Sequence, residues 1–127
     1  MAKQEVKEWL NKADKDLDEA KFLLDNNRPS EDIAFFLHQA AEKYLKGFLL
    51  SNGWELEKIH DLVKLLKEAI KFDKEYAQFQ TASEIMTDFY IESRYPVGYA
   101  FEFEKEELKQ LIQTTDTLGS LVKSKIL

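Results

Sequence analysis

The sequence predicts an all-α protein, an antiparallel up-and-down bundle of four long helices plus one shorter helix. Apolar residues recur at steps of three and four along most of the 127 residues, which is the spacing of one helix face. Only four glycines and two prolines are present, so the chain offers few of the turns that a sheet would need. Hydrophobic residues make up 44% and charged residues 33%, which is typical of a globular chain. We therefore expect one helical-bundle domain, residues 1–127.

The first two helices differ in the width of their apolar faces. The first is predicted over residues 3–26, with one narrow stripe that consists of Val6, Leu10, Ala13, Leu17, Ala20 and Leu24. Pro29 breaks this pattern, and Ser30 is the predicted N-cap of a second helix over residues 31–51. The second helix has a broad apolar arc, made of Ile33, Phe35, Phe36, Leu37, Ala40, Ala41, Tyr44, Leu45, Phe48, Leu49 and Leu50. An arc this wide indicates the central helix of the bundle.

The other helices follow after a connector at residues 54–59. They are predicted over residues 60–71, 74–93 and 104–124. Pro96 prevents the fourth helix from continuing, because proline cannot supply the helical N–H bond. Five phenylalanines at helical core spacing are expected to pack inside: Phe35, Phe36, Phe48, Phe79 and Phe89. Tyr99, Phe101 and Phe103 lie in the last loop, where they either cover helix ends or form a dimer surface.

Composition and motifs argue against several classes of function. The chain has no cysteine, a polar start and no apolar run near the ~20 residues of a membrane span, so we expect a cytoplasmic protein without disulfides. A net charge of −6 argues against binding nucleic acid through a broad basic surface. Motifs for nucleotide phosphate loops and serine or cysteine nucleophiles are missing. One Glu57-x-x-His60 spacing is too little for a di-iron site, so no metal or cofactor is expected.

The polar strip of the second helix is the first candidate site. It consists of His38, Gln39, Glu42, Lys43 and Lys46. Glu42 lies one turn after His38, so its carboxylate can hold the imidazole of a partly buried histidine. Glu42 and Lys46 repeat the same spacing, which by itself indicates an ordinary ion pair on the surface.

His60, Asp61 and Arg94 form the second candidate, at the ends of helices. Asp61 is expected to cap the third helix, and His60 can there reach the end of a neighbouring helix, such as the one that ends near Arg94. Arg94 is one of only two arginines among eighteen basic residues, and its planar fork suits a carboxylate or a phosphate. Two alternatives stay open: the fork is tied to a carboxylate such as Asp61 or Glu42, or it binds an incoming phosphate.

Three segments, in this order, resemble the HEPN family of small helical-bundle proteins from bacteria and archaea. They are FFLHQAAEKYLKGFLL at 35–50, KIHDLVKLL at 58–66 and YIESRYP at 90–96, and the resemblance spans essentially the whole chain. It implies a homodimer that is encoded beside a minimal nucleotidyltransferase, in a two-component module of toxin and antitoxin type. A similarity of this family to the helical domain of kanamycin nucleotidyltransferase further implies nucleotide binding.

One departure from the family pattern argues against catalysis. Ribonuclease members carry an arginine followed, after four to six residues, by a histidine. Counted from Arg94, that histidine would fall at Tyr99, Ala100 or Phe101, and no histidine follows His60. The sequence therefore favours the nucleotidyltransferase-associated branch and a protein that binds a nucleotide, or RNA, without cutting it.

The expected ligand-binding residues come from both candidates: Arg94, Tyr95, His60, Asp61, His38, Glu42, Lys43 and Lys46. In this hypothesis Arg94 holds a phosphate, Tyr95 stacks or donates, and Asp61 orients His60. Two alternatives are a metal-independent ribonuclease toxin, which uses Arg94 with His60 or His38, and a non-catalytic dimeric scaffold.

Overall fold

A computed structural model describes residues 2–92 and 104–126 of the chain. The helices are α1 (Ala2–Asp25), α2 (Ser30–Ser51), α3 (Leu62–Phe72), a 3₁₀ helix (Lys74–Phe79), α4 (Gln80–Glu92) and α5 (Lys105–Ile126). No strand occurs within the described ranges. The prediction of an all-α bundle with four long helices and one shorter helix is confirmed, and the connector after Gly53 lies where it was expected.

The helix α2 is the centre of the bundle. It contacts α1, α3, α4 and α5, so it has neighbours on nearly every side. Leu45 and Leu49 on this helix have no exposed surface, and Leu65 of α3 is equally buried. A helix that is surrounded in this way needs apolar residues over most of its circumference, which explains its broad apolar arc. Three polar residues of α2 are buried among the neighbouring helices as well: His38, Glu42 and Lys46.

The starts of α2 and α3 are built differently. The prediction that Ser30 caps α2 is wrong: Pro29 takes the N-cap position, and no side chain caps the helix. The Pro29 carbonyl already accepts from the backbone N–H groups of Asp32 (3.1 Å) and Ile33 (3.4 Å), so helical bonding starts one residue earlier than predicted. Asp61 does cap α3, as predicted, and its Oδ1 accepts from two backbone N–H groups of the first turn.

The predicted fourth helix divides into two parts. Residues 74–79 form a 3₁₀ helix, and the α-helix begins only at Gln80. Tyr76 and Phe79 are both buried in this short segment. The tighter 3₁₀ winding repeats every three residues, so it directs both rings into the core from one turn. The Asp73 side chain accepts from the Glu75 backbone N–H (3.0 Å) and starts the segment.

One predicted core residue lies at the surface. Phe35 is 40% exposed, so its assignment to the interior is wrong, whereas Phe48, Phe79 and Phe89 are buried and Phe36 is partly buried. The Phe35 ring contacts Phe36 edge to face, with 5.2 Å between the ring centroids. Its place at the edge of the α2 arc leaves one side of the ring open to solvent.

A buried tyrosine joins α1, α2 and α5. Tyr44 of α2 is 2% exposed, and its hydroxyl donates to Asp14 Oδ1 of α1 at 2.5 Å. Lys123 of α5 donates to both oxygens of the same carboxylate, at 2.8 and 3.0 Å. Burial, reinforced by the bond to Asp14, raises the pKa of Tyr44 above its ordinary value. Gly119 of α5 lies directly against this ring, because any Cβ there would be 2.6 Å from Tyr44 Cζ.

None of the helices in the described part of the chain is long and apolar enough to span a membrane.

Candidate functional site

Three polar side chains of α2 lie one helical turn apart and are buried together. His38, Glu42 and Lys46 are only 3%, 4% and 3% exposed. With His60, which approaches from the connector before α3, they form what we call the Glu42 cluster. A charged carboxylate and ammonium are rarely this buried unless they pair with each other. The prediction that Glu42 and Lys46 are an ordinary surface pair is therefore wrong.

One oxygen of Glu42 joins the cluster together. Lys46 Nζ donates to Glu42 Oε2 at 3.0 Å, and His60 Nδ1 lies 3.1 Å from the same oxygen. The other oxygen, Oε1, has no hydrogen-bond partner among the described residues. It lies 3.9 Å from His38 Nδ1, which is close enough for electrostatic attraction and too far for a hydrogen bond. The carboxylate is thus held by two groups and still has an unused acceptor.

His60 is the solvent-facing member of the cluster. Its side chain is 75% exposed, although its Nδ1 bonds to a carboxylate that is almost fully buried. An ionised carboxylate can only accept hydrogen bonds, so Nδ1 must carry the proton in this contact. The neutral ring then presents Nε2 as an acceptor, and the protonated ring presents it as a donor. Glu42 therefore fixes the tautomer and the orientation of an accessible imidazole.

His38 connects the cluster to the last turns of α4. Its ring stacks on Tyr90, with 4.2 Å between ring centroids and an angle of 21° between the planes. Tyr90 in turn stacks on Phe35 at 6.1 Å. The stack of Phe35, Tyr90 and His38 thus leads from the protein surface to the buried carboxylate. His38 itself is too deeply buried to meet a ligand that stays at the surface.

The ammonium of Lys46 is covered by α1. It lies 5.4 Å from the centre of the Trp9 ring, within the range of a cation–π contact. The carboxylate on one side and the aromatic face on another compensate for the loss of water around this charge. Trp9 was not singled out from the sequence. The spacing of His38, Glu42 and Lys46 inside the wide apolar arc of α2 was the available signal for their burial.

Two other predicted site residues have different neighbours. The carboxylate that holds His60 belongs to Glu42, so the prediction that Asp61 orients His60 is wrong; Asp61 caps α3 instead. The Lys43 ammonium bonds to Asp16 of α1 and does not join the cluster. Both findings follow from helix geometry, because a cap points along its own backbone and position 43 faces another side of α2.

Arg94 and Tyr95 lie outside the described residues, so their predicted role stays a prediction.

The described chain contains no group of three or more histidine, aspartate or glutamate side chains that could hold a metal ion. The group that is accessible for chemistry is the exposed imidazole of His60, which contacts the buried Glu42–Lys46 pair. Such an imidazole can donate to an anion when it is protonated, or accept a proton when it is neutral.

Comparison with known proteins identifies the class of helical bundle. The family model for the HEPN domain matches residues 6–125, and the chain belongs to this family. The crystal structure of ST0689, an archaeal HEPN homologue, is similar with a TM-score of 0.75 and 25% sequence identity, over 96% of this chain and 98% of that one.

A second solved structure has the same fold. TT1696 from Thermus thermophilus is similar with a TM-score of 0.77 and 23% identity, over 94% of this chain and 97% of that one. A search of curated proteins found no match. The family match and the shared fold confirm the resemblance to the HEPN family that residues 35–50, 58–66 and 90–96 indicated from the sequence.

Proposed function

We propose that this HEPN protein binds the phosphate of a nucleotide, or of RNA, and acts as the cytoplasmic partner of a minimal nucleotidyltransferase in a module of toxin–antitoxin type. The observation that carries the proposal is an accessible imidazole, His60, fixed by a buried carboxylate, Glu42. A carboxylate this buried needs partners that compensate its charge, and Lys46 and His60 are those partners. Here the exposed partner of that carboxylate is a group that can donate to an anion.

The charge balance of the cluster supports an anionic ligand. Glu42 alone would repel a phosphate that approached His60, but Lys46 lies 3.0 Å from the same carboxylate and compensates its charge. A protonated His60 then adds one positive charge at the surface. On a chain of net charge −6 this is a local attraction, which suits a single phosphate better than a long nucleic-acid backbone.

Arg94 and Tyr95 complete the proposed site. The last turns of α4 approach the cluster, because Tyr90 stacks on His38, and the chain continues from Glu92 toward Arg94. In the proposal the guanidinium binds two phosphate oxygens, Tyr95 stacks on the base or donates to the ligand, and His60 adds a further donor.

Exposed apolar side chains near the cluster support the proposed homodimer. Phe35 on α2 and Ile91 on α4 are 40% and 50% exposed. Tyr90, the neighbour of Ile91 in sequence, stacks on Phe35, so α2 and α4 meet here. A second copy of the chain would cover this apolar surface.

Substitution of Arg94 by lysine should show whether phosphate binding needs the bidentate contact of a guanidinium or only a positive charge. We expect Arg94→Lys to weaken the binding of AMP about tenfold, because a compact ammonium cannot make the bidentate contact. Arg28→Lys is the matched control, since it makes the same change at the only other arginine. The measurement is a calorimetric titration with AMP and, separately, with a short single-stranded RNA. Equal affinities for both variants would refute the role of Arg94.

The partner requires its own test. If the adjacent reading frame encodes a small nucleotidyltransferase, the two chains should co-purify after expression together. Separate elution of the two chains at micromolar concentration would refute the proposed partnership. Nucleotide binding would then be tested by titration alone.

Ribonuclease activity is a second candidate, and the geometry of His60 favours it. An imidazole whose Nδ1–H is held by a carboxylate offers Nε2 as a proton acceptor, which is the arrangement of a general base. We expect any cleavage of RNA to follow the titration of a histidine with pH, and to disappear in His60→Ala. His38 is buried, so it is the weaker choice for this role. Activity that equals a mock preparation, or that persists in His60→Ala, would exclude His60 as the base.

A further inference from the structure

A second concave site lies between α1 and α5, on residues separate from the Glu42 cluster. It is a cleft of about 510 Å³, formed where the start of α1 passes the last turns of α2 and α5. Its walls are Lys3, Val6, Lys7, Leu10, Asn11, Asp14, Ser51, Lys123 and Ile126. A volume of this size is typical of sites for small organic molecules. We call it the α1–α5 cleft.

The charge of the α1–α5 cleft is opposite to that of the whole chain. Three lysines and one aspartate line it, although the protein carries a net charge of −6. Asp14 is already occupied by Lys123, at 2.8 and 3.0 Å, and by the hydroxyl of Tyr44. Lys3 and Lys7, one turn apart on α1, form no ion pair with any described residue. The cleft therefore has two ammonium groups available for an anion.

The rest of the lining is aliphatic except for two polar residues, Asn11 and Ser51. Val6 and Leu10 lie at the bottom of the α1 wall, where they are only 3% and 9% exposed because they also belong to the core, and Ile126 lies on the α5 wall. No aromatic ring belongs to the lining formed by the described residues, so these residues offer no surface on which a nucleobase would stack. Saturated hydrocarbon packs well against such walls and gains by leaving water. The lysines of the cleft thus suit the charged group of an aliphatic anion, and the aliphatic walls suit its hydrocarbon chain.

We propose that the α1–α5 cleft binds a single-chain fatty acid of medium length. The carboxylate lies between Lys3 and Lys7, and the hydrocarbon chain lies against Val6, Leu10 and Ile126. This site is independent of the proposed nucleotide site, because it shares no residue with the Glu42 cluster.

Calorimetry with decanoate, below the concentration at which it forms micelles, tests the proposal. We expect saturable binding, and a loss of affinity of at least about tenfold in Lys7→Glu, since the reversed charge repels the carboxylate. Lys67→Glu is the matched control: it makes the same change in net charge at another exposed lysine and should bind like the unsubstituted protein. His60→Ala should also leave decanoate binding unchanged.

Variation of the ligand tests the two halves of the site separately. Octanoate should bind more weakly than decanoate, by roughly three- to fourfold for each methylene removed. Decyltrimethylammonium has the same chain with a positive head and should not compete. The proposal fails if decanoate does not saturate, if Lys7→Glu and Lys67→Glu lose affinity equally, or if the cationic amphiphile binds as well. It also fails if the Lys7→Glu change weakens AMP rather than decanoate.

Discussion

Replacement of Glu42 by alanine is expected to lower the free energy of unfolding by about 3–5 kcal/mol. The carboxylate is 4% exposed and is the hydrogen-bonding partner of Lys46, which is 3% exposed. Without Glu42 the Lys46 ammonium stays buried beside Trp9 with no anion to compensate it. His60 loses the same carboxylate, so the connector before α3 also loses an anchor. Unfolding in urea, followed by circular dichroism at 222 nm, measures the change.

Two further variants show whether burial is the cause. Glu68→Ala removes a glutamate that is 31% exposed from a pair with Lys71, which is 70% exposed, and should cost only ~0–1 kcal/mol. The double variant Glu42→Leu/Lys46→Met should be more stable than Glu42→Ala alone, because it removes both charges from the interior. If Glu42→Ala and Glu68→Ala cost the same, the glutamate–lysine pair of α2 is not buried in solution.

Gly119→Ala is expected to destabilise the bundle by about 1–3 kcal/mol, although alanine is the better helix former. The added methyl group would lie 2.6 Å from Cζ and 2.9 Å from the hydroxyl oxygen of Tyr44. That ring has little freedom to retreat, because it is 2% exposed and its hydroxyl donates to Asp14. Either the ring or α5 must shift, and the bond to Asp14 or the packing of α5 is lost. Thermal or urea unfolding of the variant gives the value.

A second glycine provides the control. Gly47→Ala also brings a methyl group close to a neighbour, at 2.9 Å from Leu10 Cδ2, but this is the end of a flexible side chain and can move. We expect Gly47→Ala to cost clearly less than Gly119→Ala. In a Tyr44→Leu background the cost of Gly119→Ala should nearly vanish, since the ring that it meets has been removed. Additive effects of the two substitutions would contradict a direct clash.

The fold was predictable because it is determined mainly by the burial of apolar residues, whose spacing can be recognised in the sequence. The narrow stripe on α1 and the broad arc on α2 predicted which helix is surrounded, and both are confirmed by the burial of Leu17 and Leu45. Errors arose at helix ends, where one hydrogen bond decides the boundary. Pro29 displaced Ser30 from the cap of α2, and a 3₁₀ turn carries Tyr76 and Phe79 where a regular helix was expected.

The candidate site was predictable only in part: Asp61 and Lys43 do not join the Glu42 cluster, and Arg94 and Tyr95 lie outside the described residues. Sequence spacing brought His38, Glu42 and Lys46 to one side of α2, which the structure confirms. It could not show that this side faces other helices, because burial depends on how α1, α3 and α4 pack around α2. For the same reason the contact between His60 and Glu42, eighteen residues apart, was assigned to the adjacent Asp61. Long-range contacts of this kind are set by packing.

The most direct test of the nucleotide site uses the two histidines of the chain as separate reporters. Proton NMR resolves one imidazole signal from the exposed His60 and one from the buried His38, and His60→Ala assigns them. When AMP is added, we predict that the His60 signal shifts and saturates, and that the half-saturating AMP concentration rises about tenfold in Arg94→Lys and stays unchanged in Arg28→Lys. A His60 signal that does not move at saturating AMP would contradict a phosphate site at this imidazole.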